Sequence, residues 1–594
     1  MIPERDASRS LTEGYLTGMD PRTVAHVLEQ IGDLLELHGE NRFKTAAYRN
    51  AARTLSGLQV DDIRPLVRSG EIATMKGIGP ATLSVIQEMA ETGDSSYHEQ
   101  LSEDTPEGLV EMLRVPGLGT SKIHAIHEGL GIDTLHELEE AARDGRLAQL
   151  PRFGEKTAEK ILKGIAYLRE TSAFVLFPQA MAEARRLLAG VSAHAGVTRA
   201  EIAGSVRRRN EVIRDIDIVA ACRDAPEQVA ASFAHAPGVR EAIGVGGRSI
   251  TIRFVDGTLL DLHCVAPDEF AIALWRATGS AAHESAVRDR AESLGFSMVG
   301  DRLVDRTGKG VAIPDEERLY SVLGLPFVEP ELREGRGEID AAEADSLPSL
   351  ITLRDIRGVL HCHSQYSDGK ATIAEMATAA RERGWEYLGI SDHSQSAFYA
   401  GGLSSDAVRQ QHAEIDRLNE ELDDFRILKG IEADILADGT VDYDAGLLGS
   451  FDYVIASVHS RFGMERQAMT DRVLRALDDP HVAILGHPTG RLLLTREPYA
   501  IDVEAVIQRA TGVGVAVELN ADPHRLDIDW RYCQMAKELG CTIEIGPDAH
   551  SPGGLDNMEI GIGVARKGWL EASDVLNTGS ADDVLLWARA RRER

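Results

Sequence analysis

The spacing of apolar residues along the chain falls into three regimes. From Pro21 to about Leu168 they recur at i, i+3 and i+4, as in Val24-Ala25-His26-Val27-Leu28 through Leu34-Leu35 and again from Ala46 to Leu58, which predicts a run of helices. In the middle the period shortens to two, in Asp215-Ile216-Asp217-Ile218-Val219-Ala220 and in Thr258-Leu259-Leu260-Asp261-Leu262-His263-Cys264, and predicts strands. Past Ser349, short continuous apolar runs alternate with helical stretches. Gly358-Val359-Leu360, Tyr387–Ser391, Arg426–Ile431, Tyr453–Val458, Val482–Gly486, Val515–Asn520 and Thr542–Pro547 read as buried parallel strands. Their C-terminal ends are polar: His361, Asp392-His393, Glu432, His459, His487, Asn520 and Asp548-Ala549-His550. Seven such strands describe an α/β barrel whose active site lies at that rim.

Composition sets outer bounds. A chain of 594 residues holds three to five domains at roughly 100 to 200 residues each. The five cysteines, Cys222, Cys264, Cys362, Cys533 and Cys541, are scattered and form no C-x-x-C pair, which argues against a disulfide framework and a cysteine zinc site. No apolar leader follows Met1 and no run of about 18 apolar residues appears, so the expectation is a cytoplasmic, nucleoid-associated protein without a membrane partner. The net charge of −31 excludes duplex binding through the average field of the protein. Nucleic-acid contacts must be local.

Three glycine turns supply such contacts. Met75-Lys76-Gly77-Ile78-Gly79-Pro80, Val115-Pro116-Gly117-Leu118-Gly119-Thr120 and Leu150-Pro151-Arg152-Phe153-Gly154-Glu155 each join two helical stretches. A turn of this form opens a helix with free N–H groups at the positive end of its dipole, and glycine lets a phosphate approach the main chain. They resemble helix-hairpin-helix elements, which hold DNA backbones without reading sequence. The third is the weakest, because Arg152 stands where the others have their first glycine.

In the middle, period-two geometry puts Asp215 and Asp217 on one strand face, and Asp261 on the second strand can face them. Three convergent carboxylates suit two divalent ions, Mg or Mn, one for an attacking 3′-hydroxyl and one for a triphosphate. Gly204, Ser205 and Arg208 just upstream offer a turn, a hydroxyl and a guanidinium for the phosphates. At the rear, His361 and His363 point the same way from a strand end, and Asp368 adds a hard oxygen from the following loop.

With these segments in view, the chain resembles the family X DNA polymerases, the group that includes polymerase beta. The likeness runs through Phe43-Lys44, Ala47-Tyr48-Arg49, Ala51-Ala52, the hairpins, the palm, Thr278-Gly279-Ser280 and Pro330-Glu331-Leu332-Arg333-Glu334-Gly335-Arg336-Gly337-Glu338-Ile339. That last segment and the histidine-rich rear are similar to the long prokaryotic PolX type, with a rear domain of the polymerase and histidinol phosphatase (PHP) superfamily. The resemblance implies a multidomain α+β and α/β protein. Its expected parts are an N-terminal extension (1–20), a helical 8 kDa-like domain with a helix-hairpin-helix (21–100), helical fingers (101–175), a nucleotidyltransferase palm (176–265), a thumb (266–330), a linker (331–353), a distorted (β/α)7 PHP barrel (354–577) and a tail (578–594), read as a solvated helix end.

It also implies roles. Asp215, Asp217 and Asp261 bind catalytic metals; Gly204, Ser205 and Arg208 bind the incoming triphosphate; Lys44, Gly77, Gly79, Gly117, Gly119, Gly154 and Arg288 contact DNA. His361, His363, Asp368, His393, Glu432, His459, His487, Asp548 and His550 fill the PHP ligand positions with six imidazoles and three carboxylates. That mixed set favours Mn or Zn, three ions in all, whose surplus positive charge attracts a phosphodiester and acidifies water. Asp392 reads as a partner to a ligand, and Arg491 or Arg525 as a hold on a substrate phosphate.

The chain departs from the family at the nucleotide. Arg276-Ala277 replaces an aromatic pair, and Ala277 lacks the bulk that would discriminate a 2′-hydroxyl; Glu284 replaces an asparagine. The lyase lysine of polymerase beta falls at Val85 and its neighbouring phosphate-binding lysine at Ala81, so no Schiff base is expected there. The implied function is DNA repair by a monomer acting on gapped or primer-template DNA and dNTPs: gap filling, 3′-5′ exonuclease action and cleavage at abasic sites. Two other readings stand beside it, a nuclease whose polymerase half only holds DNA and a small-molecule phosphatase.

Overall fold

A computed structural model describes residues 19–593 apart from 57, 59, 61, 224 and 256. The expected N-terminal extension, up to residue 18, and Arg594 of the tail lie outside the described residues. The chain forms two compact units, Met1–Ala173 and Phe174–Arg594.

Among its described residues the first unit forms helices and no strand. Its opening pair, Pro21–Leu37 and Arg42–Ser56, buries Val24, Leu28, Ile31 and Leu35 against Tyr48, Ala51, Ala52 and Leu55, the stripe that the i, i+3, i+4 spacing marks. Val85 is buried in that core, whereas Lys44 lies exposed and pairs with Glu40 at 3.1 Å. All three hairpins form. Gly79, Gly119 and Gly154 are the N-caps of helices Pro80–Thr92, Thr120–Leu130 and Glu155–Thr171, and having no side chain they leave the first-turn N–H groups open to an anion. Two residues earlier each turn takes a left-handed conformation, with φ of +97° at Gly77, +79° at Gly117 and +70° at Arg152. The third hairpin therefore keeps the backbone of the other two, at a cost of about 1–2 kcal/mol for a non-glycine residue.

The second unit begins with a five-stranded sheet. Its order is Val197–Ile202, Ile216–Cys222, Leu259–Val265, Ser249–Phe254, Val239–Ile243, and only the 216–222 and 259–265 pair is parallel. Ile216, Ile218 and Ala220 face the helix Phe177–Ser192, while Val219 and Ala221 face Phe270–Thr278. Asp217 shares the second face. The segment expected as a linker, 331–353, is instead folded into the thumb: Leu332, Ile339 and Ala342 join its core, and Arg333 is fully buried, donating 2.6 Å to Glu316. Several of its charges are paired rather than solvated, Glu338 with His283 and Glu343 with Arg290.

Seven parallel strands follow in chain order, Gly358–Val359, Tyr387–Ile390, Arg426–Asp434, Tyr453–Ser457, Val482–Leu485, Ala516–Asn520 and Ile543–Gly546. The sheet nearly closes through Cys362 and Ala549, with the His363 N–H donating 2.9 Å to the Ala549 carbonyl. Leu360, Tyr387, Tyr453 and Ile484 fill the lower interior, and the C-terminal helix Ala581–Arg592 packs Val584, Leu585 and Ala588 against them. The tail is thus a plug rather than a solvated end: Arg591 is buried and donates to the Leu477 and Asp479 carbonyls. Among the described residues no helix is long and apolar enough to cross a membrane.

Palm and barrel meet inside this unit around Arg491. Its guanidinium pairs with Glu211 of the palm and, at 2.7 Å, with Asp529, and donates 2.9 Å to the Arg525 carbonyl. This occupancy corrects the reading of Arg491 as a phosphate contact. Arg491→Met is expected to lower unfolding stability by about 3 kcal/mol, because the buried Glu211 loses its close partner and is left with Arg531 at 3.8 Å, which also serves Asp529 at 2.7 Å. Denaturant titration of the full chain checks it.

Candidate active sites

At the barrel rim the strand ends gather their polar side chains. Among the described residues three groups bring ligand atoms within 4.8 Å of one another: His363, Asp368, His393 and His550; His361, His363 and Asp548; and His393, Glu432 and His459. His487 adjoins them, its Nε2 2.9 Å from Glu432 and 3.3 Å from His459 Nε2. All nine residues carried over from the PHP likeness therefore converge. Glu432 differs from expectation only in lying within its strand, Arg426–Asp434, rather than at the tip.

The donor set fits metal. The Nε2 of His361 and both ring nitrogens of His363 are buried without a hydrogen-bond partner, a costly state that a cation relieves. Burial, then His550 and His393, pushes His363 down to about 3. At His459 burial is outweighed by Glu432 and Asp434, which hold the ring up at about 9. Divalent ions would displace protons from such rings.

Two further carboxylates orient the ligand rings, Glu518 inside the strand Ala516–Asn520 and Asp434 at the end of Arg426–Asp434, two residues past Glu432. Glu518 accepts from His361 Nδ1 at 2.5 Å and from the His487 backbone N–H at 2.5 Å, which turns His361 Nε2 toward the ligand cluster. Asp434 holds His459 Nδ1 at 2.7 Å in the same way. For Glu518 the available signal was a glutamate between the apolar Val517 and Leu519. Asp392 is fully buried and accepts from the Ser364 N–H and hydroxyl, Ser367 and Gln411 Nε2. Arg525 Nε lies 3.3 Å from Asp548, so of the two arginines it alone borders the ligands.

The palm site is more open. Asp217 and Asp261 are direct partners in the parallel register, and Asp215 stands just before the same strand. Burial, then Asp215 and Asp261, raises Asp217 to about 7, a repulsion that a cation among the three carboxylates would relieve. Gly204 has φ +61°, and a Cβ there would lie 1.8 Å from Asp217 Oδ2; Ser205 follows, half-buried, in the turn Gly204–Arg207. Arg208 donates 2.9 Å to Glu334 and also to the Thr278 carbonyl. Glu334 is shared with Lys567, a barrel-helix residue whose ammonium is buried over Trp530, 4.7 Å from the ring centroid. Arg276 is paired with Asp301 at 2.8 Å, and Glu284 with Arg288 at 2.7 Å, so the charge that replaces the asparagine is held by the expected template contact.

Comparison with known proteins agrees with this geometry. Family models match for a helix-hairpin-helix domain at residues 19–95, a SAM-like helix-hairpin-helix tandem at 109–166, a DNA polymerase beta thumb at 273–334 and a PHP domain at 360–522. A relative from Bacillus subtilis (strain 168), the DNA polymerase/3′-5′ exonuclease PolX, is 38% identical over 570 residues, covering 95% of this chain and 99% of its own. A probable phosphatase of Thermoanaerobacter sp. (strain X514) is 29% identical over 232 residues, 37% of this chain and 89% of its own length. One from Syntrophotalea carbinolica is 31% identical over 207 residues, 32% of this chain and 79% of its own.

Proposed function

The chain belongs to the PolX group of family X DNA polymerases that carry a C-terminal PHP domain, and from that membership we propose how its two sites share the work of a DNA polymerase with 3′-5′ exonuclease activity. The palm fills short gaps. Asp215, Asp217 and Asp261 would hold Mg or Mn, which supplies charge neutralisation for phosphoryl transfer when bound. Gly204 keeps the turn close to Asp217, while Ser205 and Arg208 receive the triphosphate of a dNTP. The hairpins at Gly77, Gly79, Gly117, Gly119 and Gly154 take the DNA backbone, with Lys44 as a 5′-phosphate contact and Arg288 as the template contact.

The barrel trims 3′ ends and cleaves at abasic sites. Its nine ligands would hold Mn or Zn, three ions, which attract the phosphodiester and acidify water when bound. Glu518 and Asp434 fix the tautomers of His361 and His459, and Arg525 faces the scissile phosphate. The observation that carries this reading is the convergence of all nine side chains with buried ring nitrogens left open. The phosphatase relatives match about a third of the chain, so a phosphatase reading leaves the hairpins and palm unused. A labelled primer bordering a one-nucleotide gap, incubated with Mn or Mg, should be both extended and shortened. Wild type that extends nothing overturns the polymerase half of the reading.

Lys567 links the halves. Removing its ammonium leaves Glu334 paired with Arg208 alone, and a charged hydrogen bond of that kind is worth about 1.5–3 kcal/mol. Lys567→Met is accordingly expected to raise the dNTP KM about tenfold with kcat little changed, as read by single-nucleotide insertion.

A further inference from the structure

Beside the barrel site stand two aromatic rings that the fold does not use. Phe398 and Tyr399, in the short turn Phe398–Ala400, are 86% and 62% exposed, and Phe398 is the most exposed large apolar side chain among the described residues. Their centroids are 6.1 Å apart at 77°, and the Tyr399 ring lies 6.4 Å from His393 and 6.5 Å from His459. The backbone beneath them is well anchored. The Ser396 N–H donates 2.7 Å to Asp442, the Gln395 N–H 3.2 Å to the Tyr443 hydroxyl, and the Leu403 N–H 2.9 Å to the His393 carbonyl. Exposed apolar rings on a fixed backbone at the mouth of a phosphoesterase site are a binding feature rather than loose packing.

We propose that Phe398 and Tyr399 form a stacking platform for the unpaired nucleobases at a DNA 3′ end, so that the barrel selects base-bearing single strands. This rests on the exonuclease reading and names the substrate feature which that site grips. Charge argues for the same occupant. A chain of net charge −31 repels a polyanion, and stacking holds a strand without needing positive charge, with any of the four bases.

The test uses full-length protein with Mn and two 5′-labelled single strands, one ending in normal nucleotides and one whose last two residues are abasic. Phe398→Ala/Tyr399→Ala is expected to lower kcat/KM on the base-bearing end about ten- to a hundredfold, to change the abasic end by less than about twofold, and to retain the bound Mn of wild type. Phe398→Tyr/Tyr399→Phe, which keeps both rings, should restore the base-bearing rate. Equal loss on both ends, or no loss on either, overturns the platform while leaving the exonuclease intact. Wild type inert on both strands overturns the exonuclease reading, and the platform with it.

Discussion

Glu432→Gln is expected to reduce 3′-end shortening about a thousandfold and to lower the bound-metal content, while primer extension stays within about twofold of wild type. Glu432 is the carboxylate on which the barrel site is centred. One oxygen lies 2.9 Å from His487 Nε2, 3.2 Å from His459 Nε2 and 3.6 Å from His361 Nε2; the other is 2.8 Å from His393 Nδ1 and 3.8 Å from His363 Nε2. Five of the six ligand imidazoles thus face it. Although burial opposes ionisation, His459, His393 and His361 hold its carboxyl well below the usual range, so it is the charged form that the site is built around. The amide keeps the volume but removes that charge and turns an NH₂ toward ring nitrogens that need a cation. Metal ions stabilise transition-state charge by several kcal/mol, and about 4 kcal/mol corresponds to the thousandfold loss. Elemental analysis after dialysis and a labelled single strand measure the two effects. Shortening that persists above about a tenth of wild type would sink the assignment.

The ligands were legible because parallel strands expose only their C-terminal ends to chemistry, so a polar residue closing an apolar run marks the rim. His361, His393, His459 and His487 each follow such a run. The orienting Glu518 was not, since it sits inside its strand and its contact with His361 spans 157 positions. Arg491 shows the opposite failure. It follows His487 closely enough to look like part of the site, yet its guanidinium turns to Glu211 across the palm boundary. Local pattern reports which residue types are present; which way a long side chain turns depends on neighbours distant in sequence. The same limit hid the packing of 331–353 and of the final helix, whose charged residues look solvated in one dimension. Arg152 is different again: the third hairpin keeps its left-handed turn without glycine, because the flanking helices fix the backbone more strongly than one residue's preference resists it.

Gly204→Ala is expected to reduce nucleotide insertion by about two to three orders of magnitude and to leave 3′-end shortening unchanged. The turn is held to the strand it precedes, with the Ala203 N–H donating 2.8 Å to the Asp217 carbonyl and the Arg208 N–H 3.1 Å to Gly204. An added Cβ would lie 1.8 Å from Asp217 Oδ2, 2.6 Å from Cγ and 2.9 Å from Cβ, so the side chain and not merely its tip must give way. The backbone strain at φ +61° costs about 1–2 kcal/mol, small beside the 5–15 kcal/mol of a folded domain. The fold survives, and the cost is displacement of Asp217 from Asp215 and Asp261, which leaves two carboxylates where the chemistry needs three. A double-mutant cycle isolates the cause. If the loss runs through Asp217, Gly204→Ala/Asp217→Ala inserts nucleotides no more slowly than Asp217→Ala alone; if the two losses multiply, the glycine acts on the triphosphate directly and its place beside Asp217 is incidental.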